Sequence, residues 1–121
     1  MKKILIVEDD LDMRTMLVDA FTKAGFKTSM ASNGEEGLKA TLDFKPDLIL
    51  LDILMPVMDG MTMLDKLRRE EWGKDVPVTI LTNLGDLGKI SEALGRGVFK
   101  YIVKSDLSID AIVKKVAKEL E

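Results

Sequence analysis

The sequence predicts an α/β fold: five parallel strands with helices on both faces, a three-layer (βα)5 arrangement. Three observations carry this. Five short apolar runs alternate with segments of helical period across all 121 residues. The central runs are continuous rather than alternating, as strands covered on both faces require. Gly, Pro, Asn and Asp punctuate the borders. Repeated strand–helix alternation then implies right-handed crossovers and a parallel sheet.

Each element has its own signal. Ile4-Leu5-Ile6-Val7 is the first strand. Met16, Leu17, Ala20, Phe21 and Ala24 share one face of a helix that Gly25 stops, with Asp10 suited to cap its start. Phe26 to Ala31 is a more polar strand, fit for a sheet edge. Ser32 and Asn33 precede Glu35 and Glu36, the pattern of a helix N-terminus. Pro46 closes that unit. Leu48 to Leu51 is the most apolar strand. A loop with Pro56 and Gly60 leads into a helix around Met61, Leu64 and Leu67, and Trp72 is expected to pack at its end. Val76 to Leu81 is the fourth strand. Leu84, Leu87, Ile90, Ala93 and Leu94 mark a helix softened by Gly85 and Gly88. Val98 to Val103 is the fifth strand. Ile109, Ile112, Val113, Val116, Ala117 and Leu120 form an amphipathic last helix. A single domain over residues 1–121 is expected.

Composition removes whole classes of function. At 46% hydrophobic and 32% charged the chain is globular in type. A net charge of -3 gives no general attraction for nucleic acid. Cys and His are both absent, which excludes disulfides, thiolate metal sites and imidazole chemistry. No apolar stretch approaches the roughly 20 residues of a membrane span. "MKKILIV" meets Glu8-Asp9-Asp10 too early for a signal peptide, so the cytoplasm is the expected location. The eight Met residues read as core filler, and Lys114, Lys115 and Lys118 as a solvated helix face.

Open parallel sheets bind ligands beyond the carboxyl ends of their strands. There stand Glu8, Asp9 and Asp10 after the first strand and Asp52 after the third. Thr82 and Asn83 follow the fourth, and Lys104 the fifth. Singly, each has an ordinary structural use. Together they converge on one rim. Clustered carboxylates raise one another's pKa unless a cation joins them. Without Cys or His the matching ion is hard, namely Mg²⁺.

At "ILIVEDD", "PDLILLDILMPVMDG", "ILTN" and "GVFKYIVK" the chain resembles the receiver domain of two-component response regulators, along its whole length. The resemblance implies a flavodoxin-like strand order 2-1-3-4-5. It implies Asp52 as phosphoacceptor, Asp9 as a direct Mg²⁺ ligand, Glu8 acting through water, and the Leu54 carbonyl as a further ligand, with Mn²⁺ as a substitute ion. Thr82 would hydrogen-bond the phosphoryl group and Lys104 would pair with one of its oxygens. Tyr101 would swing inward as Thr82 moves. The donor would be a phosphohistidine of a sensor kinase or phosphotransfer protein, which this His-free chain cannot supply. Such a domain is a signalling switch rather than an enzyme acting on other substrates. It binds no nucleic acid or membrane directly, passes its signal to a separate output protein, and is a monomer or a phosphorylation-dependent dimer.

Departures from the family pattern are informative. Ser105 replaces the usual Pro after Lys104, where a cis bond is common in the family and costs about 3 kcal/mol without Pro. Asn83 replaces a small residue. Leu54 and Leu84 occupy positions that tune phosphoryl loss, and two leucines would position attacking water poorly, giving a long-lived phosphoryl group. A dehalogenase-like phosphatase would need an acid where Leu54 stands. An FMN carrier would not place three acids after the first strand. Two alternatives stay open: an adaptor that never needs phosphorylation, and the receiver portion of a longer regulator.

Overall fold

The computed structural model describes residues 1–83, 88, 90–98 and 100–121. Strand β1 is Lys3–Val7, followed by helix α1 (Leu11–Lys23), β2 (Lys27–Ala31), α2 (Gly34–Phe44) and β3 (Leu48–Asp52). Helix α3 (Gly60–Arg69), β4 (Val78–Thr82), α4 (Ile90–Leu94), β5 (Lys100–Val103) and α5 (Ile109–Glu119) complete the order. The strands form one sheet in the order β2-β1-β3-β4-β5, and every neighbouring pair is parallel. This is the order the resemblance implies. It puts β1 and β3 side by side, with the crossover direction reversing between them, so the cleft at their carboxyl ends is the natural ligand site.

Two cores cover the sheet. On one face, Leu5, Val7, Ile49, Leu51 and Ile80 pack with Met61, Met63, Leu64 and Leu67 of α3 and Ala93 of α4. On the other, Ile4, Ile6, Leu48, Leu50 and Leu81 pack with Leu17 and Phe21 of α1 and Ile112, Val113 and Val116 of α5. Alternate residues of one strand therefore serve opposite cores, which is why β3 reads as an unbroken apolar run.

Local chemistry sets the helix ends. Asp10 caps α1 by accepting from the Met13 N–H at 3.1 Å. Asn33 caps α2 through the Glu36 N–H, while Glu36 Oε1 returns a bond to the Ser32 N–H at 2.9 Å. Each satisfies a donor the helix cannot. Asp59 caps α3 and Ser108 caps α5 in the same way. Gly25, at φ +97°, makes the turn that ends α1.

Several details differ from expectation. Met16 is 49% exposed, and Ala24 is also outside the core; Met13 joins it instead. The apolar face of α1 centres on Leu17 and Phe21, and Met13 is four residues before Leu17. Met30, on the β2 edge, is exposed as well. Phe26, Val76 and Val98 precede their strands, whereas Asp52 and Thr82 are the last residues of β3 and β4 rather than the first beyond them. Trp72 follows the end of α3 as expected, and is 39% exposed there. The Lys104–Ser105 bond is trans, since no cis peptide occurs among the described residues. Leu84, Gly85 and Leu87, expected in the fourth helix, lie outside the described residues.

Candidate functional site

The carboxyl ends of β1, β3 and β5 deliver Glu8, Asp52 and Lys104 to one point. Asp52 stays in register, opposite Leu81 of β4, so its backbone is held by the sheet and its carboxylate points off a rigid edge. Glu8 is 1% exposed and Asp52 4% exposed. Lys104 Nζ donates to both Glu8 oxygens, at 3.0 and 3.1 Å, and stands 3.4 Å from Asp52 Oδ2. The sequence placed Lys104 near Asp52 but did not foresee the bond to Glu8.

Asp9 completes an acidic triad. One carboxylate oxygen from each of Glu8, Asp9 and Asp52 lies within 4.8 Å of the others. All-oxygen donors at this spacing suit a hard divalent cation. The cleft above them holds about 400 Å³ and is lined by Glu8, Asp9, Asp10, Met13, Asp52, Leu54, Asn83 and Lys104.

The electrostatics fit a charge deficit. Burial, and then the negative charge of Glu8, push the Asp52 carboxyl up to about 8, against the opposing pull of Lys104. Burial alone would lower the Lys104 ammonium, but its contacts with Glu8 and Asp52 outweigh that and raise it. One ammonium among three carboxylates leaves the cluster net negative.

One supporting residue escaped the sequence reading, and another was read there only as part of a loop. Arg14, one turn into α1, donates to the Glu8 carbonyl at 2.8 Å and reaches the Asp9 carbonyl at 3.5 Å. Its position four residues after the capping Asp10 was the available signal. Gly60 N–H donates to the Ile53 carbonyl at 2.8 Å, and a Cβ on Gly60 would come 2.3 Å from the Asp52 carbonyl oxygen. Only Gly lets α3 start so close to the acceptor strand.

The remaining candidates sit around this centre. Leu54 lines the cleft and is 46% exposed. Asn83, the residue after β4, lines it too. Thr82 is buried, and its hydroxyl donates to the Asn83 carbonyl at 3.2 Å instead of lining the cleft. Tyr101 pairs with Ile80 in the sheet and is 45% exposed. Leu84 lies outside the described residues.

The sequence model of the response regulator receiver domain matches residues 4–117. The chain belongs to that family. Receiver domains are the phosphoacceptor signalling modules of two-component systems rather than classical enzymes, and they bind Mg²⁺ at an acidic pocket. Sporulation initiation phosphotransferase F of Bacillus subtilis is 35% identical over 119 residues, covering 98% of this chain and 94% of that one. The regulatory protein AtoC of Escherichia coli is 40% identical over 84% of this chain, which spans only 22% of AtoC. The chain likewise spans about half of a probable transcriptional regulator, ycf27, of Cyanophora paradoxa. Among solved structures, the chemotaxis protein CheY4 of Vibrio cholerae superposes with a TM-score of 0.88 at 27% identity, over 98% of both chains. The receiver fold of this chain contains no helix long and apolar enough to cross a membrane among the described residues.

Proposed function

We propose that this receiver is a Mg²⁺-dependent phosphoacceptor switch with Asp52 as the acceptor. The observation that carries the reading is the Lys104 ammonium set between buried Glu8 and Asp52, with Asp9 at the open side of the same cleft.

An Asp52 oxygen attacks the phosphorus of a phosphohistidine on a sensor kinase or phosphotransfer protein. A P–O bond forms, the P–N bond breaks, and its electron pair leaves with the imidazole, which takes up a proton. Asp52 must be ionised to attack, and its raised pKa resists that. Mg²⁺, held by Asp9, Asp52, the Leu54 carbonyl and Glu8 through water, would supply the positive charge that keeps Asp52 ionised and offsets the incoming phosphoryl oxygens. Lys104 leaves Asp52 for a phosphoryl oxygen in this reading, where preorganised positive charge favours a loose transition state. Arg14 fixes the backbone of the acidic pair from behind.

Thr82 then exchanges its bond to the Asn83 carbonyl for one to the phosphoryl group. Tyr101, exposed on the adjoining strand, turns into the space this frees, and the face around it carries the output to a separate protein in the cytoplasm. The domain acts as a monomer or as a phosphorylation-dependent dimer. Incubation with acetyl phosphate and Mg²⁺ tests the reading by mass spectrometry. Wild type gains one phosphoryl group and Asp52→Ala does not; an unmodified wild type would refute it.

A further inference from the structure

We propose that the groove between α2 and α3 docks an acidic amphipathic segment of a partner protein. The groove holds about 410 Å³ and is lined by Leu38, Lys39, Leu42, Lys66, Arg69, Glu70 and Trp72. It shares no lining residue with the acidic cleft, and the proposal stands independently of phosphorylation.

Its floor is apolar and partly exposed: Leu38 packs against the core, while Leu42 and Trp72 reach solvent. Leu38 and Leu42 are one turn apart on α2, and Trp72 follows α3. Leu42 is 47% exposed and Trp72 39% exposed. Large apolar side chains at this exposure on adjacent elements form a patch rather than scattered single residues. A Trp at the wall of a pocket this size is the kind of anchor on which interfaces depend. The volume admits one or two partner side chains.

Charge complementarity selects the occupant. Lys39 stands on one wall, Lys66 and Arg69 on the other, against a single lining acid, Glu70. That local excess of two positive charges sits on a chain of net charge -3, so it is not part of a general field. Among the described residues, none of these three cations makes an ion pair; their neighbours Lys74 and Arg96 do, with Glu71 and Asp65. Two helical walls with an apolar floor and cationic rims suit a helix that presents Leu or Phe at i, i+3 and i+7 and Asp or Glu beside them. A basic segment would meet like charge, and a second copy of this surface would do the same.

Trp72 is the only tryptophan in the chain, so its fluorescence reports on the groove directly. The probe is a synthetic helical peptide with Leu and Phe on one stripe and Glu on its flanks; the control carries Lys for every Glu. The acidic peptide should shift Trp72 emission saturably and bind less tightly as salt is added. The Lys peptide should not. Leu42→Glu, and separately the pair Lys66→Glu with Arg69→Glu, should weaken binding about tenfold or more, while acetyl phosphate still modifies Asp52 in both variants. Equal binding of both peptides, or none by either, overturns the proposal. So does a Trp72 shift that follows protein concentration together with dimers in sedimentation, which would make the groove an interface between copies. Peptide binding by a protein that acetyl phosphate fails to modify would defeat the phosphoacceptor reading alone.

Discussion

Lys104 Nζ stands 3.0 Å from Glu8 Oε1 and 3.4 Å from Asp52 Oδ2, so one ammonium spans two buried carboxylates at the ends of two other strands. Removing it leaves both without their cation. Lys104→Met keeps the aliphatic stem and should cost roughly 3 kcal/mol of metal-free stability in urea denaturation, the scale for breaking a buried ion pair. Adding Glu8→Gln to that variant should recover part of the loss, because it removes one of the abandoned charges. An additive double variant would mean the pair is not coupled. Acetyl phosphate should modify Lys104→Met far more slowly than wild type.

The raised pKa of Asp52 has a stability consequence. The ordinary value is 3.8 and the folded one about 8. Between these pH values the folded protein keeps a proton that the unfolded chain releases. Folding therefore binds protons in this window, and the Asp52 contribution is present at low pH and lost as pH rises from about 4 to 8. Metal-free wild type should lose melting temperature over this range relative to Asp52→Asn, which cannot titrate there. Saturating Mg²⁺ should narrow the gap at pH 8, since a bound cation favours the ionised form. Parallel pH profiles for the two proteins without metal would contradict this assignment.

What the sequence revealed depended on how local the cause was. The strand order was legible only through the family resemblance; the gathering of Glu8, Asp9, Asp52 and Lys104 was legible because apolar runs mark the strand ends, and a parallel sheet brings those ends together. The Asp10 and Asn33 caps were legible because a cap acts within three residues. The stripe through Leu17, Ala20 and Phe21 was legible, but Met16 was misplaced at its border, because only packing against α5 and the sheet decides that Met13 joins it instead. The Lys104–Glu8 bond was missed because it joins residues far apart in the chain and depends on side-chain reach rather than on pattern. Trp72 was placed at the end of α3, but its 39% exposure was not legible, because what covers a residue there depends on α2.

Val57 has φ +67° and is 78% exposed. Around it, the Met58 N–H closes a tight turn on the Pro56 carbonyl at 2.7 Å. A β-branched residue in the left-handed region costs about 1–2 kcal/mol, and here no buried contact offsets that. Gly adopts this backbone freely, at some entropic cost in the unfolded chain. Val57→Gly should therefore raise stability by about 1 kcal/mol, read from urea midpoints at constant m-value. A fall would mean that the Val57 side chain makes contacts worth more than the strain.

Gly60 brings α3 against the acceptor strand. A Cβ there would meet the Asp52 carbonyl oxygen at 2.3 Å and the Ile53 Cα at 2.9 Å, both backbone atoms that cannot rotate away. Gly60→Ala must push either the helix or the strand end. The cost should be at least about 2 kcal/mol, as for other overpacked sites, and the shift should carry the Asp52 carboxylate out of line with Asp9 and Lys104. Modification by acetyl phosphate should fall more than tenfold even under conditions where the variant is fully folded, because displacements near 1 Å have that effect on positioned groups. Normal modification in a destabilised variant would show that the helix, not Asp52, gives way.

Leu54 lines the cleft two residues beyond Asp52 and is 46% exposed. Hydrolysis of an aspartyl-phosphate needs a water held opposite the bond that breaks, and an apolar side chain offers that water no acceptor. A long-lived phosphoryl group follows. Leu54→Glu would place a carboxylate where it can orient the water and accept its proton, which speeds loss by roughly a hundredfold if the geometry is good. The side chain is half in solvent and contributes little burial, so the fold should tolerate the change. Decay of the phosphorylated protein, followed by intact mass after the phosphodonor is removed, measures both rates. A wild-type lifetime of seconds, or no acceleration in Leu54→Glu, would remove Leu54 from control of the lifetime.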